Sequence, residues 1–384
     1  MKALALVFVA LAAGSVPVFA QVSVNAGDLL IYRVGSNSGT DTLVNTGNSV
    51  FIDEWTTAGT YVRSYATGVI ASGTASSEGL LNNSPDGAFM AFTGYATTSA
   101  TSLSSTTASA VNRAVGVLAT TTGAVSQTNF TDFASGNNPR SAVTTNGTDL
   151  WMAGGAGGVR YGTSSGTTST QLSTTVANIR DVKIINNQLF VSDSSGTAVR
   201  LGAVGTGVPT TSGQTISNLS GFPTSTGSPY SFFFADLSST VAGLDTLYVA
   251  DDAAGIQKYS LVGTSWALTG TATASGVRGL TGIVSGGNVQ LFGTTGSSGA
   301  AGTGALYSLL DGSGYNATLS GAAATLATNA TLQAALGGAG SSYAFRGIAF
   351  APIPEPSTYA LFAGAIGLVA AFRRQMSRRE VRAG

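Results

Sequence analysis

Leu247-Tyr-Val-Ala-Asp-Asp-Ala-Ala-Gly-Ile-Gln-Lys-Tyr259 is the most regular stretch of the chain, and it predicts a strand, a tight turn and a second strand. Residues 247–250 are apolar and rich in residues that favour strands. Residues 251–255 are typical of a turn, because aspartate can bond its own backbone and glycine tolerates positive φ. Residues 256–259 then alternate between apolar and polar side chains. The stretch therefore predicts an antiparallel hairpin.

The hairpin unit recurs along the chain. The same unit appears at residues 189–201, a looser copy occupies residues 150–161, and residues 291–307 form a fourth unit. An apolar strand precedes each unit, and in four cases an arginine introduces it: Arg140, Arg180, Arg278 and Arg346. Residues 231–235 hold the same place without the arginine, and residues 79–81 open another unit. Successive starts lie roughly 40 to 70 residues apart, which suits four short strands per unit.

These units predict an all-β protein with a β-propeller fold. Four antiparallel strands cannot bury both of their faces alone, whereas a ring of such blades buries them. Six starts predict six blades, with seven as the alternative. A right-handed β-helix or another solenoid is the rival fold, since the richness in Gly, Ser and Thr also permits it.

The two ends of the body predict how the ring closes. Residues 346–351 form a first strand that nothing follows, whereas residues 28–34, 49–55 and 60–65 form three strands that lack a first one. Pairing the last strand with the N-terminal strands would complete a blade.

The composition excludes several kinds of chemistry. The 384 residues contain no cysteine and no histidine, so disulfides, thiolate sites and Ser-His-Asp triads are ruled out. Residues 21–351 carry 15 acidic and 11 basic side chains, which argues against a nucleic-acid partner. We therefore expect a protein that is not an enzyme and that needs no cofactor.

Residues 1–20 have the pattern of a secretory signal peptide. Lys2 precedes an apolar core, and Ala20 offers a small residue at the cleavage point. The alternative is a buried N-terminal helix. Cleavage would leave residues 21–351 as the propeller body.

Residues 352–384 form a separate segment with three parts. The tripeptide Pro354-Glu355-Pro356 opens it, and an apolar run over 357–372 follows. A basic tail ends it with Arg373, Arg374, Arg378 and Arg379. The run is shorter than the ~20 residues of an ordinary spanning helix, although short spans rich in Gly and Ala occur. We expect a transmembrane helix with its basic end in the cytoplasm.

This segment resembles the PEP-CTERM sorting domain of bacteria that have an outer membrane. The resemblance implies an exosortase-type enzyme that processes the protein, and a precursor held in the inner membrane by the C-terminal helix. It also implies a final place at the cell surface or in the extracellular matrix. The alternative is a permanent membrane anchor that is never processed.

The body resembles propellers of the NHL type in its units at 189–193 and 247–259. Such propellers are mostly binding scaffolds, which implies that the body binds polysaccharide or a protein partner. Two other function classes stay open: an extracellular hydrolase that depends on carboxylates or calcium, and a purely structural component of the matrix.

The four recurring arginines are the candidate ligand-binding residues. In a propeller they would gather at one mouth of the central channel, where forked bonds could hold the carboxylates of an acidic exopolysaccharide. In the alternative interpretation, each arginine pairs with a neighbour to hold the blades together. Asp181 and Glu78 are the expected partners in that case.

Other polar groups give weaker signals. Asp236, Asp245, Asp251 and Asp252 could bind calcium, but their spacing matches no calcium loop and favours aspartates that cap turns. Asp53 and Glu54 are adjacent in a strand and should point to opposite faces, exposed to solvent. The tryptophans, at positions 55, 151 and 266, could stack on sugars or pack in the core.

Overall fold

A computed structural model describes residues 22–295 and 304–351, and these residues form an almost purely β structure. The first half contains β1 (Leu29–Val34), β2 (Asn48–Trp55), β3 (Tyr61–Ala71), β4 (Asn82–Asn83), β5 (Phe89–Tyr95), a 3-10 turn (Leu103–Ser105), β6 (Arg113–Ala119), β7 (Val125–Phe130), β8 (Pro139–Thr144), β9 (Asp149–Gly154), β10 (Val159–Thr163) and β11 (Thr170–Gln171). The second half contains β12 (Asp181–Ile185), β13 (Gln188–Ser192), β14 (Leu201–Val204), β15 (Ile216–Asn218), β16 (Pro229–Ala235), β17 (Thr246–Asp251), β18 (Gly255–Val262), β19 (Ser265–Ala272), β20 (Val277–Ser285), β21 (Asn288–Thr295), β22 (Ala305–Asp311), β23 (Ala324–Thr328), α1 (Asn329–Leu336) and β24 (Ala344–Phe350).

Four of the sheets are four-stranded propeller blades. Each consists of consecutive antiparallel strands: β8 to β11, β12 to β15, β16 to β19 and β20 to β23. The hairpin predicted at residues 247–259 is present as β17 and β18, with Asp251 opposite Gly255 at the turn. Because neighbouring strands in the described sheets run antiparallel, the β-helix alternative is wrong for this part of the chain.

The remaining strands form one eight-stranded sheet in the order β24-β1-β2-β3-β5-β6-β7, with β4 also paired to β5. The predicted pairing of the last strand with the N-terminal strands is present, since Leu29 lies opposite Phe350 and Val34 opposite Ala344. The prediction of six blades, with seven as the alternative, is met only in part, because four separate blades are present. A bridge between Ile70 and Tyr95 joins β3 to β5, so the described strands form five sheets.

The first strands of the units contact one another in turn. In chain order β4, β8, β12, β16 and β20 each contact the next, and β20 and β4 both contact β24. Their starts lie at one mouth, which carries the four arginines and is called here the arginine mouth. Their ends lie at the other mouth, which carries Phe232, Phe233, Phe234 and Phe350 and is called the phenylalanine mouth.

The core lies between the sheets because each strand presents an apolar face to the next unit. Val277 and Leu280 of β20 pack against Tyr248 and Ala250 of β17, for example. All three tryptophans belong to this core, with exposures of 0, 3 and 8% for Trp55, Trp151 and Trp266. The core-packing interpretation of the tryptophans is therefore confirmed.

Both predicted terminal segments lie outside the described residues: the signal peptide at 1–20 and the sorting segment at 352–384, with its Pro354-Glu355-Pro356 motif and its basic tail. Within the part of the chain that the structure describes, no helix is long and apolar enough to cross a membrane.

Candidate functional site

The four recurring arginines lie at or near the starts of four first strands: Arg180 directly precedes β12, and the others lie within the first three residues of β8, β20 and β24. Tyr230, at the start of β16, brings two of them together. The guanidinium carbon of Arg180 lies 4.9 Å from the centre of the tyrosine ring, and that of Arg278 lies 4.6 Å from it. The sequence analysis missed Tyr230, although this residue directly precedes Ser231 as Arg180 precedes Asp181. It holds the position that arginine holds in the other units.

Arg140 lies beside Arg180, because its Nη1 donates to the carbonyl of Ile179, and Arg346 interacts electrostatically with Arg278. Burial and the nearby charge of Arg180 lower the pKa of Arg140 to about 9. Burial lowers the pKa of Arg346 to about 10, where the positive charge of Arg278 acts in the same direction and Glu78 opposes it. The positive charges of these arginines therefore act on one another within the arginine mouth.

The arginines differ in how many of their N–H groups already have hydrogen-bond or ion-pair partners. Arg278 makes a forked ion pair with Asp252, with both N···O distances at 2.8 Å, and donates to the carbonyl of Ser76 at 2.7 Å. Arg140 is buried, and its Nη1 donates to Asn178 and to the carbonyl of Ile179. Arg278 thus follows the pairing alternative, and Arg140 supports the neighbouring backbone.

Arg180 has the most free donor capacity. Its Nε donates to Ser194 Oγ at 2.6 Å, and its ring contact is with Tyr230. Its two terminal nitrogens make no hydrogen bond within residues 22–295 and 304–351, and its side chain is partly exposed. Arg180 therefore presents the two parallel N–H groups that a carboxylate needs for forked binding.

The two predicted carboxylate partners have other contacts. Glu78 is buried, and its oxygens accept hydrogen bonds from Tyr95 Oη at 2.8 Å and Asn138 Nδ2 at 2.6 Å. Burial raises the pKa of Glu78, and Arg346 opposes this electrostatically. Asp181 is fully buried, with an oxygen 3.7 Å from Lys183 Nζ. The prediction that Asp181 pairs with an arginine is thus wrong, because Lys183 is its neighbour.

The four aspartates considered for calcium make different contacts. Asp251 accepts the backbone N–H groups of residues 228, 253 and 254, and Asp245 accepts those of residues 237 and 238. Asp252 pairs with Arg278, and Asp236 is exposed. Among the described residues, no group of three or more acidic side chains is placed to hold a metal ion. The turn-capping interpretation is confirmed for Asp245 and Asp251.

The expectation of a solvent-facing pair at Asp53 and Glu54 is wrong. Both side chains are fully buried, and each has a polar partner within the sheet that makes its burial tolerable. They do point to opposite faces: Asp53 pairs with Arg33 at 2.5 Å, whereas Glu54 accepts from Tyr65 at 2.8 Å. Both are parts of the scaffold.

The phenylalanine mouth contains a cavity of about 330 Å³ between the ends of the first strands. Lys183 and Asn82 contribute polar groups to its wall, and Phe233, Ile348 and Phe350 contribute apolar ones. The sequence analysis did not identify this cavity, because its residues share no motif and come from strands far apart in the chain.

No protein-family model matches the chain, and no curated protein matches it. Several solved structures are similar in shape. They include a putative 6-phosphogluconolactonase from Bacteroides uniformis (15% identity, covering 78% of this chain and 82% of that chain, TM-score 0.41), a chain of a nidogen/laminin complex (12% identity, 86% and 100%, TM-score 0.46) and a glucose dehydrogenase (10% identity, 76% and 98%, TM-score 0.43). The propeller fold of this chain follows from its own strand pairing. The features that bear on its function are the two mouths.

Proposed function

We propose that this chain is an exported surface or matrix protein whose propeller binds an acidic polysaccharide at the arginine mouth. The observation that carries the proposal is Arg180. It is a partly exposed arginine held against Tyr230, and its terminal N–H groups are free of hydrogen bonds within the described residues. The carboxylate of a uronic acid fits such a group in shape and in charge.

The charge of the mouth supports an anionic ligand. Glu78, Asp193 and Asp252 are the carboxylates that act on the four arginines, which leaves an excess of positive charge. Arg140 Nε is also buried without a hydrogen-bond partner among the described residues. An anion at this mouth would therefore offset repulsion that already exists in the folded protein.

We also propose that the eight-stranded sheet acts as two blades, one built from β24 and β1 to β3 and the other from β4 to β7. The bridge between Ile70 and Tyr95 is the paired position that joins the two halves. Together with the four separate blades this gives a ring of six, which would hold the arginines at a fixed spacing.

Replacing Arg180 by glutamine is expected to weaken binding of an oligouronate by about ten- to a hundredfold, since a charge-assisted hydrogen bond contributes about 1.5–3 kcal/mol. Titration calorimetry on the full-length chain in a detergent without a sugar headgroup measures the change. Arg160→Gln is the matched control, because Arg160 pairs with Asp132 on the outer part of a blade. Binding should also weaken as salt rises.

Equal loss of binding in both variants would indicate a general charge effect and contradict a defined site. Unchanged binding in Arg180→Gln would remove the arginine mouth as the binding site. Arg180 is a better test position than Arg278, because replacing Arg278 would leave Asp252 without its forked ion pair.

For sorting, we propose that an exosortase-type enzyme recognises Pro354-Glu355-Pro356, with the span over 357–372 held in the inner membrane. Replacing the three residues by alanine is expected to leave an uncleaved precursor in the inner membrane fraction. Mass spectrometry of the fractionated protein, with the parent chain as control, measures the outcome. A parent chain that keeps residues 357–384 at its final location would instead indicate a permanent anchor.

A further inference from the structure

The cavity at the phenylalanine mouth has the size and lining of a small-molecule site. Its volume of about 330 Å³ lies at the lower end of the range for ligand pockets, which is roughly 300–1,000 Å³. A cavity of this size accommodates one small ring rather than a chain. It lies at the opposite end of the first strands from Arg180, so it is separate from the arginine mouth.

An unsatisfied acceptor lines this cavity. Asn82 is 3% exposed, and its Nδ2 donates to the carbonyls of Ala142 and Val182 at 3.1 and 3.0 Å and to Asp181 Oδ1 at 2.9 Å. These bonds fix the orientation of the amide. Asn82 Oδ1 has no hydrogen-bond partner among the described residues. A buried acceptor left in this state is costly, and a donor from a ligand would remove that cost.

The charges next to the acceptor balance each other. Lys183 Nζ lies 3.7 Å from Asp181 Oδ2, and it donates to the carbonyl of Leu280 at 3.3 Å. A carboxylate ligand would meet the charge of Asp181, and an ammonium ligand would meet that of Lys183. The local charge therefore favours a neutral ligand.

The remaining walls are a mixture of aromatic, aliphatic and hydroxyl groups. Phe233 is partly exposed and lines the cavity beside Gly282, where an added Cβ would lie 3.0 Å from the ring. Thr281 adds a hydroxyl to the same wall. The glycine thus allows the ring of Phe233 to lie close to β20.

We propose that this cavity binds the ring of a neutral sugar, as a free pyranoside or as the end unit of a glycan. A hydroxyl both donates and accepts, so a sugar hydroxyl can donate to Asn82 Oδ1 while another group of the same ring accepts from Lys183. The C–H face of the ring packs against Phe233. An alkane cannot donate a hydrogen bond to Asn82 Oδ1, and a charged metabolite would meet a like charge on Asp181 or Lys183.

The test uses methyl glucoside, methyl galactoside and methyl mannoside, with glucuronate as the charged counterpart of glucose. Saturation-transfer NMR on the full-length chain, in a detergent without a sugar headgroup, detects binding of each. We expect at least one neutral pyranoside to bind saturably, and Phe233→Leu to weaken it roughly three- to tenfold. Thr281→Val keeps the shape of the wall and should weaken the same sugar if the hydroxyl takes part. Thermal melting checks that each variant is folded.

Arg180→Gln separates this site from the arginine mouth. Binding of a neutral sugar that survives Arg180→Gln and decreases in Phe233→Leu supports the proposal. Three results overturn it: binding of no neutral pyranoside, loss of neutral-sugar binding in Arg180→Gln alone, or glucuronate binding that depends on Phe233 and exceeds that of methyl glucoside. The outcome is independent of whether the arginine mouth binds an acidic polysaccharide.

Discussion

The Arg33→Met variant is expected to have a free energy of unfolding about 3–5 kcal/mol below that of the parent chain, because it leaves a buried carboxylate without its partner. Arg33 lies in β1 and is fully buried. Its Nε and Nη2 donate to the two oxygens of Asp53 at 2.5 and 3.1 Å, and its Nη1 donates to the carbonyl of Gly35 at 2.5 Å. Methionine fills similar space but supplies none of these donors.

The location of Arg33 increases the effect. Its guanidinium lies 4.4 Å from the ring centre of Phe51 in β2 and 5.3 Å from that of Tyr343, which directly precedes β24. The side chain therefore ties the N-terminal strands to the last described strand. Losing it loosens the pairing of β1 with both of its neighbours.

The loss of stability in Arg33→Met should depend on pH. Burial raises the pKa of Asp53, and the charge and hydrogen bonds of Arg33 oppose that rise. Without Arg33 the folded-state pKa rises further above the unfolded value, so the folded state takes up a proton more readily. Stability of the variant then falls as pH rises through the folded pKa. We expect the difference in free energy of unfolding between the parent chain and Arg33→Met to be largest at neutral pH and to decrease in acid.

Urea denaturation of the full-length chain measures this prediction, with two controls. Arg160→Met removes a partly exposed pair with Asp132 and should cost about 1 kcal/mol or less. The double variant Arg33→Met with Asp53→Leu should recover much of the loss, since an apolar pair avoids the stranded charge. A loss in Arg33→Met no larger than that in Arg160→Met would show that the buried pair contributes little.

The Gly347→Ala variant is expected to lose about 3 kcal/mol, at the upper end of the usual cost of overpacking. An added Cβ would lie 2.3 Å from the backbone nitrogen of Leu81 and 2.6 Å from the carbonyl oxygen of Gly79. Because these are backbone atoms, no side-chain rotation relieves the contact. The N–H of Gly347 also donates to Gly79 at 2.8 Å, so alanine would separate β24 from the chain that leads into β4.

Gly312→Ala is the matched control. An added Cβ there would lie 3.4 Å from its nearest neighbour, Asn288 Oδ1, which is ordinary contact. We expect its stability to stay within about 0.5 kcal/mol of the parent chain. Similar stability of the two variants would contradict the close approach of β24 to β4, on which the proposed ring of six blades depends. Gly347→Ala should also displace Arg346 and so weaken binding at the arginine mouth.

The sequence was sufficient for the blade type and for the pairing of the two ends, but not for the number of separate sheets, because the signals that predict blades are local. Alternating strands, turn residues such as Asp251 and Gly255, and a recurring first strand predicted propeller blades, and the incomplete units at the two ends predicted the pairing of β1 with β24. Arginine at a fixed position in four units predicted a common place in the fold. Each of these inferences depends on residues a few positions apart, or on a repeat of such a pattern.

Which side chains already have partners becomes visible only in the folded structure. Arg278 and Arg180 hold the same position in their units, yet Arg278 is paired with Asp252 while Arg180 keeps free donors. Asp53 and Glu54 read as a solvent-facing pair and are fully buried. The cavity beside Asn82 and Lys183 combines strands that lie far apart in the chain; Asn83 and Phe350, which are joined by a hydrogen bond, are 267 positions apart. These contacts join strands that lie far apart in the sequence, and therefore no local pattern of residues predicts them.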